Sequence, residues 1–156
     1  MAWTADTAVA AGREQVMDVL TRPCSIASWA PVPFEVEGLK GDRLETGSRA
    51  RVAGRLAGKE LIFEVDVHEA DDGRLRLIAH GPYLELIVSY DVEELENSAY
   101  VNATIEVKGK GVLGRFVARA VDGLMAGGAL SMALRQLAAA AEQSDFATTP
   151  EFAIAA

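Results

Sequence analysis

At 156 residues the chain has the length of one domain, enough to bury roughly 70% of its unfolded surface around a core. Half of its residues are hydrophobic, which excludes a disordered chain. Its formal charge of -8 and pI near 4.8 oppose binding to nucleic-acid phosphates and to anionic membranes, both of which rely on clustered Lys and Arg.

In chain order, residues 1–6 lack the basic region and apolar run of a signal peptide, and no stretch is long and charge-free enough to span a bilayer. A cytoplasmic protein without membrane insertion is therefore expected. Residues 3–9 alternate weakly and predict a first strand; Val16, Val19 and Leu20 then recur at helical spacing within 11–20. Pro23 ends that helix, because it restricts the residue before it and offers no N–H. A second short helix is expected over 24–29. Its Cys24 is the single cysteine of the chain, which permits no internal disulfide and suits a small buried hydrophobe. Ala30-Pro31-Val32-Pro33 forces an extended connection, and residues 34–39 read as a short strand among the turn residues Gly38, Gly41 and Gly47.

From residue 48 the period becomes two. Over 48–56, Ala50, Val52, Gly54 and Leu56 share one face and Arg49, Arg51 and Arg55 the other. Over 60–68, Leu61, Phe63, Val65 and Val67 face in, and Ala70-Asp71-Asp72-Gly73 makes a hairpin turn. Leu75, Leu77 and Ala79 continue the inner face, Gly81-Pro82 interrupts the ladder, and Leu84, Leu86, Val88, Tyr90 and Val92 resume it. After a turn over 94–98 the last strand places Val101, Ala103, Ile105 and Val107 inside. One wet and one apolar face per strand is the signature of an antiparallel sheet covered on a single side.

Residues 111–142, within the longest stretch of the chain without proline, predict the closing helix. Stepping 100° per residue puts Phe116, Val117, Ala120, Val121 and Leu124 on one side, with Arg115, Arg119 and Asp122 opposite. Beyond Gly127 and Gly128 the apolar stripe, now Leu130, Leu134, Leu137 and Ala141, has swung round. Paired glycines are a place for a bend or a one-residue bulge. They either let the two halves pack on different neighbours or leave room for a ligand. Residues 143–156 contain Pro150 and lack a period, which makes the domain 1–142 with a tail whose Phe146, Phe152 and Ile154 are free to dock.

The elements predict an α+β domain with a curved antiparallel sheet wrapped around the long C-terminal helix and two short helices after the first strand. That order resembles the START-like (SRPBCC) superfamily, of polyketide cyclase/dehydratase and lipid-transport type, whose architecture is the helix-grip fold. The resemblance runs over residues 3–142 and rests on Thr7-Ala8-Val9 ahead of the first helix, the segment 23–29, Gly47 opening a strand, and the closing helix. Residues 111–123 also resemble the carbon monoxide dehydrogenase-associated members of that superfamily. What the superfamily implies is an apolar cavity between sheet and helix that takes lipids, polyketides or other hydrophobic molecules. Phe63, Val65, Leu77, Leu86, Val88, Tyr90, Phe116, Leu124 and Gly128 are the residues expected to line it.

Binding or transport of a hydrophobic small molecule is accordingly the expected function, without cofactor, metal or nucleic acid, and with self-association through the sheet edge or tail left open. The alternative is a cyclase-like enzyme that uses Tyr90 in the cavity with His80 or Tyr83 at its mouth as acid or base. Other patterns have structural explanations. Gly109-Lys110-Gly111-Val112-Leu113-Gly114 matches a dinucleotide fingerprint, yet no parallel strand follows its helix. Charges near Gly123 and Gly127 argue for a helix in water rather than a membrane pair. His68 and Asp66 share an outer strand face, as a solvated pair, and no His/Cys spacing suits a metal.

Overall fold

The alternation in the sequence is realised in a computed structural model that describes residues 2–29, 34–56 and 59–147. The strands are β1 (Ala2–Val9), β2 (Phe34–Glu37), β3 (Arg49–Leu56), β4 (Lys59–Asp71), β5 (Arg74–His80), β6 (Leu84–Leu95) and β7 (Ser98–Gly109). The helices are α1 (Arg13–Thr21), α2 (Pro23–Trp29), α3 (Gly111–Ala126) and α4 (Ala129–Ala147). The strands form one curved antiparallel sheet in the order β1-β7-β6-β5-β4-β3-β2. This is the helix-grip arrangement. The Ala30–Pro33 connection, Pro150, Phe152 and Ile154 lie outside the described residues, as do the side chains of Leu56, Leu124 and Phe146.

Period-two patterning sets the inner face. Leu61, Phe63, Val65 and Val67 of β4, Leu75 and Ala79 of β5, Tyr90 and Val92 of β6, and Val101, Ala103 and Val107 of β7 are all buried. β4 runs on to Asp71 because a bulge between Val67 and Glu69 inserts His68 as an extra residue. Without that insertion the strand parity would aim the Glu69 carboxylate inward. With it, Glu69 faces Arg76 at 3.9 Å on the outer surface, and Ala70 packs against the core. The hairpin that follows is a two-residue turn, Asp72 (φ 50°) and Gly73 (φ 77°), whose twist matches its flanking strands.

The C-terminal helix is two helices rather than one. Gly127 ends α3, and Gly128 takes φ 89°, a left-handed conformation that a residue with a Cβ rarely adopts. The chain therefore turns. α3 lies over β7 and approaches β6 and β3, whereas α4 packs on β1, α1 and α2. In α4 the expected stripe of Leu130, Leu134, Leu137 and Ala141 is buried, and the helix continues past Glu142 to Ala147. Ala10 N–H donates to Glu142 Oε2 at 2.9 Å and Trp3 Nε1 to Asp122 Oδ1 at 3.2 Å, tying β1 to both helices.

In α3 the packed face is Gly114, Val117 and Val121, and Phe116 points to solvent, contrary to the expectation from its periodicity. The cause is a backbone seat. Lys110 N–H donates to the Tyr83 carbonyl at 2.7 Å, and any Cβ on Gly114 would collide with that same oxygen. A Cβ on Gly109 would in turn stand 2.7 Å from Gly114 O. The glycines of the apparent fingerprint thus allow the helix start to press on the β5–β6 turn, and that contact fixes the rotation of the helix.

Two substitutions separate this seat from ordinary helix propensity. Gly114→Ala is expected to destabilise the fold by about 1–3 kcal/mol through overpacking against backbone. Gly123→Ala, where an added Cβ meets nothing, is expected to stabilise it by about 1 kcal/mol. Urea denaturation of both variants reads the two signs.

Candidate functional site

On the inner face of β3 to β6 the burial pattern has a gap. Val52, Leu77, Leu86 and Val88 have inward parity but are only half-buried, while Leu75, Ala79, Tyr90 and Val92 on the same strands are fully buried. The half-buried residues face a cavity of about 280 Å³ that opens to solvent. Phe63, Val65, Leu77, Leu86 and Val88, five of the residues expected from the sequence, lie in its wall. Ala50, Val52 and Gly54 of β3 and Ala79 of β5 complete the sheet side.

The rest of the wall comes from elements that sequence reasoning had not assigned to the site. α2 contributes Pro23, Ile26 and Trp29, β2 contributes Phe34 and Val36, and Leu44 closes the gap between them. Pro23 suits the first position of α2, where its missing N–H costs nothing, and Ile26 and Trp29, three residues apart, fall on one face. That spacing was the available signal. Trp29 is held in place twice: its Nε1 donates to Val19 O at 3.2 Å, and its ring meets Tyr90 edge-on, with centroids 6.0 Å apart and planes at 74°.

The chemistry of the lining is uniform. Of the described residues that line the cavity, Arg55 alone is ionisable, and it sits on an exposed part of the rim. Tyr90 packs against Trp29 and is 5% exposed; burial pushes its phenol well above the ordinary value of 10.0. Tyr90, Tyr83, Phe116 and Gly128 are not among the lining residues. Phe116 is rotated outward by the Gly114 seat, and Gly128 is taken up by the break between α3 and α4. Tyr83 packs against the core, its carbonyl receiving Lys110 N–H.

His80 is not at the cavity mouth. Its outward parity places it on the other surface of the sheet, with Nε2 3.5 Å from Asp66 Oδ2 and Nδ1 3.2 Å from Glu85 Oε2. Asp66 is thereby engaged by His80 and by Arg49 at 3.2 Å, rather than by His68, which the bulge displaces. Neighbouring pairs on the same surface are Arg51–Glu64 at 3.0 Å and Arg76–Asp91 at 3.0 Å. Such exposed pairs contribute little each to stability, but they keep the outer face wet. No group of three or more His, Cys, Asp or Glu among the described residues could hold a metal ion.

Solved structures share this architecture. Protein CV1439 from Chromobacterium violaceum superposes with a TM-score of 0.67 at 18% identity, covering 91% of this chain and 98% of its own. A START superfamily protein from Mycobacterium smegmatis gives 0.63 at 15% identity, with coverages of 95% and 99%. TTHA0849 from Thermus thermophilus gives 0.69 at 16%, with 92% and 99%. At such identities the likeness speaks for the fold alone. No protein of curated function matches the sequence significantly. The family model described as polyketide cyclase / dehydrase and lipid transport does match, over residues 2–142, and the chain belongs to that family, within the START-like (SRPBCC) superfamily.

Proposed function

We propose that the protein binds or carries a small, uncharged hydrophobic molecule in the cavity between the inner sheet face and α2. The observation that carries this reading is the row of half-buried aliphatic side chains, Val52, Leu77, Leu86 and Val88, exposed to a space whose described wall is carbon. Leaving such surface against water forfeits about 25 cal/mol per Å². A ligand that covers it recovers that energy. An apolar cavity of about 150 Å³ is enough to take benzene, so about 280 Å³ suits a fused bicyclic ring system or a chain of similar bulk. The scarcity of hydrogen-bonding groups favours recognition by shape over recognition by polar contacts.

An acid–base reaction in the cavity has less support. A general acid or base must come within hydrogen-bond reach of its substrate, with a pKa near the working pH. Tyr90 lies outside the lining with a phenol that burial keeps protonated, and His80 is on the opposite side of the sheet. A packed tyrosine that orients Trp29 accounts for Tyr90 without chemistry.

Filling the cavity tests the binding reading. The neutral probe N-phenyl-1-naphthylamine is expected to gain fluorescence with the native protein, and Val52→Trp with Val88→Phe to weaken its binding at least about tenfold. Loss of about 1.4 kcal/mol corresponds to that factor. Equal affinity in the filled and native proteins, with both folded by circular dichroism, would count against the proposal. Tyr90→Phe is expected to leave probe binding within about twofold.

Tyr90 also gives a pH prediction. Its folded-state value is raised above the 10.0 of the unfolded chain, so the stability it lends is complete below about pH 10 and drains away as pH rises beyond. A single group of this kind contributes a slope of up to about 1.4 kcal/mol per pH unit. Urea denaturation between about pH 9 and 12 should show a shallower alkaline decline for Tyr90→Phe than for the native protein.

A further inference from the structure

α3 has two apolar faces. Gly114, Val117 and Val121 are packed inward by the seat on Tyr83, which leaves Val112 at 85%, Phe116 at 64% and Leu113 at 48% exposure on the outside. Positions 112, 113 and 116 adjoin on a helix surface, so these side chains form one cluster at the start of α3, next to the exposed Pro82 of the β5–β6 turn. A helix apolar on both sides is explained only when both sides meet something apolar. The outer side meets nothing in the described fold.

The charges around the cluster indicate what it meets. Lys110, Arg115 and Arg119 flank it in the chain, all exposed, and with the exposed Lys108 at the end of β7 they fall in a stretch of twelve residues without a single carboxylate. Of the carboxylates that flank this stretch, Glu85, opposite Lys108, is engaged by His80 at 3.2 Å and Asp122 by Trp3 at 3.2 Å, while Glu106 shares the outward strand face of Lys108, before α3 begins. The whole chain is at -8, so the acidic excess resides in the rest of the molecule and this end is locally reversed. A two-fold contact with a second copy would set these cations against themselves. A lipid surface with anionic headgroups complements both parts of the patch, phosphates for the cations and acyl chains for Val112, Leu113 and Phe116.

We propose that this outward face of α3 docks the protein on an anionic bilayer surface, without crossing it. No helix among the described residues is long and apolar enough to cross. Repulsion of the acidic remainder orients the approach, so that α3 and the β5–β6 turn arrive first. The proposal is independent of what fills the cavity.

Flotation of the full chain with vesicles tests it. The native protein is expected to float with vesicles of about 30% phosphatidylglycerol in phosphatidylcholine at low salt. It should do so far less at about 0.5 M NaCl, where screening shortens the reach of the cations, and not with phosphatidylcholine alone. Val112→Ser with Phe116→Ser should lower the partition coefficient at least about tenfold. Lys110→Ala, Arg115→Ala and Arg119→Ala together should lower it about a hundredfold, at roughly fivefold per cation. All of these positions are exposed, so melting temperatures should be unchanged. Absence of native binding to the anionic vesicles, or binding undiminished in either variant, overturns the proposal. So does a native dimer that the serine variant turns into a monomer while vesicle binding stays the same, because the face is then a contact between copies.

Discussion

The arrangement of the helices depends on one close approach between backbones. At Gly114 the helix α3 rests on the carbonyl of Tyr83, an oxygen that also accepts the N–H of Lys110 at 2.7 Å. No side chain fits there, and the contact is therefore specific in a way that apolar packing is not: a hydrophobic face tolerates rotation by several tens of degrees, a backbone collision does not. Once Gly114 faces the turn, Val117 and Val121 must face the sheet and Phe116 must face away. The glycines at 127 and 128 then release the chain from this phase, so that α4 can present Leu130, Leu134 and Leu137 to a different set of neighbours.

The cavity is a consequence of that division. α3 lies over β7 and reaches β6 and β3, α1 reaches β5 and β6, and α4 is diverted to β1, α1 and α2; the part of the inner face of β3 to β6 that these leave open is faced by the short α2. Seven residues of helix cannot cover four strands. The uncovered aliphatic side chains are the half-buried ones of the cavity wall. Trp29 supplies the rigid part of the roof, since its indole N–H is fixed to Val19 O and its ring rests on the edge contact with Tyr90. Tyr90 thus affects the cavity from behind, through the side chain it supports.

The sheet was legible from the sequence because period two leaves little choice once one face is buried, and a one-residue slip would invert every side chain. Parity put Phe63, Val65, Leu77, Leu86 and Val88 on the inner face, and the resemblance to the superfamily supplied the expectation of a cavity there. The bulge at His68 was not legible, because an inserted residue changes pairing and leaves composition untouched. α3 misled for a related reason. Val112, Leu113, Phe116, Val117 and Val121 spread apolar character over a broad arc, so the periodicity does not say which part of that arc packs; the deciding residue, Gly114, contributes nothing to a hydrophobic pattern. The contribution of α2 and of the edge strand β2 to the cavity was missed because both are short, and short elements carry little periodic signal even when, as with Ile26 and Trp29, the spacing is correct.

Charge illustrates the same limit of averages. A total of -8 argues against contact with anionic surfaces, yet the field felt by an approaching surface is set within a Debye length, about 10 Å at 0.1 M salt. At that range the start of α3 presents Lys110, Arg115 and Arg119 with no carboxylate between them, and the outer sheet face, where arginines alternate with Asp66, Glu64 and Asp91, presents pairs that largely cancel. The helix that glycine turns outward is therefore also the place where the sign of the molecule changes. The geometric seat at Tyr83 determines the inner packing and the outer electrostatics together, because rotating α3 by half a turn would bury Arg115 and Arg119 as surely as it would bury Phe116.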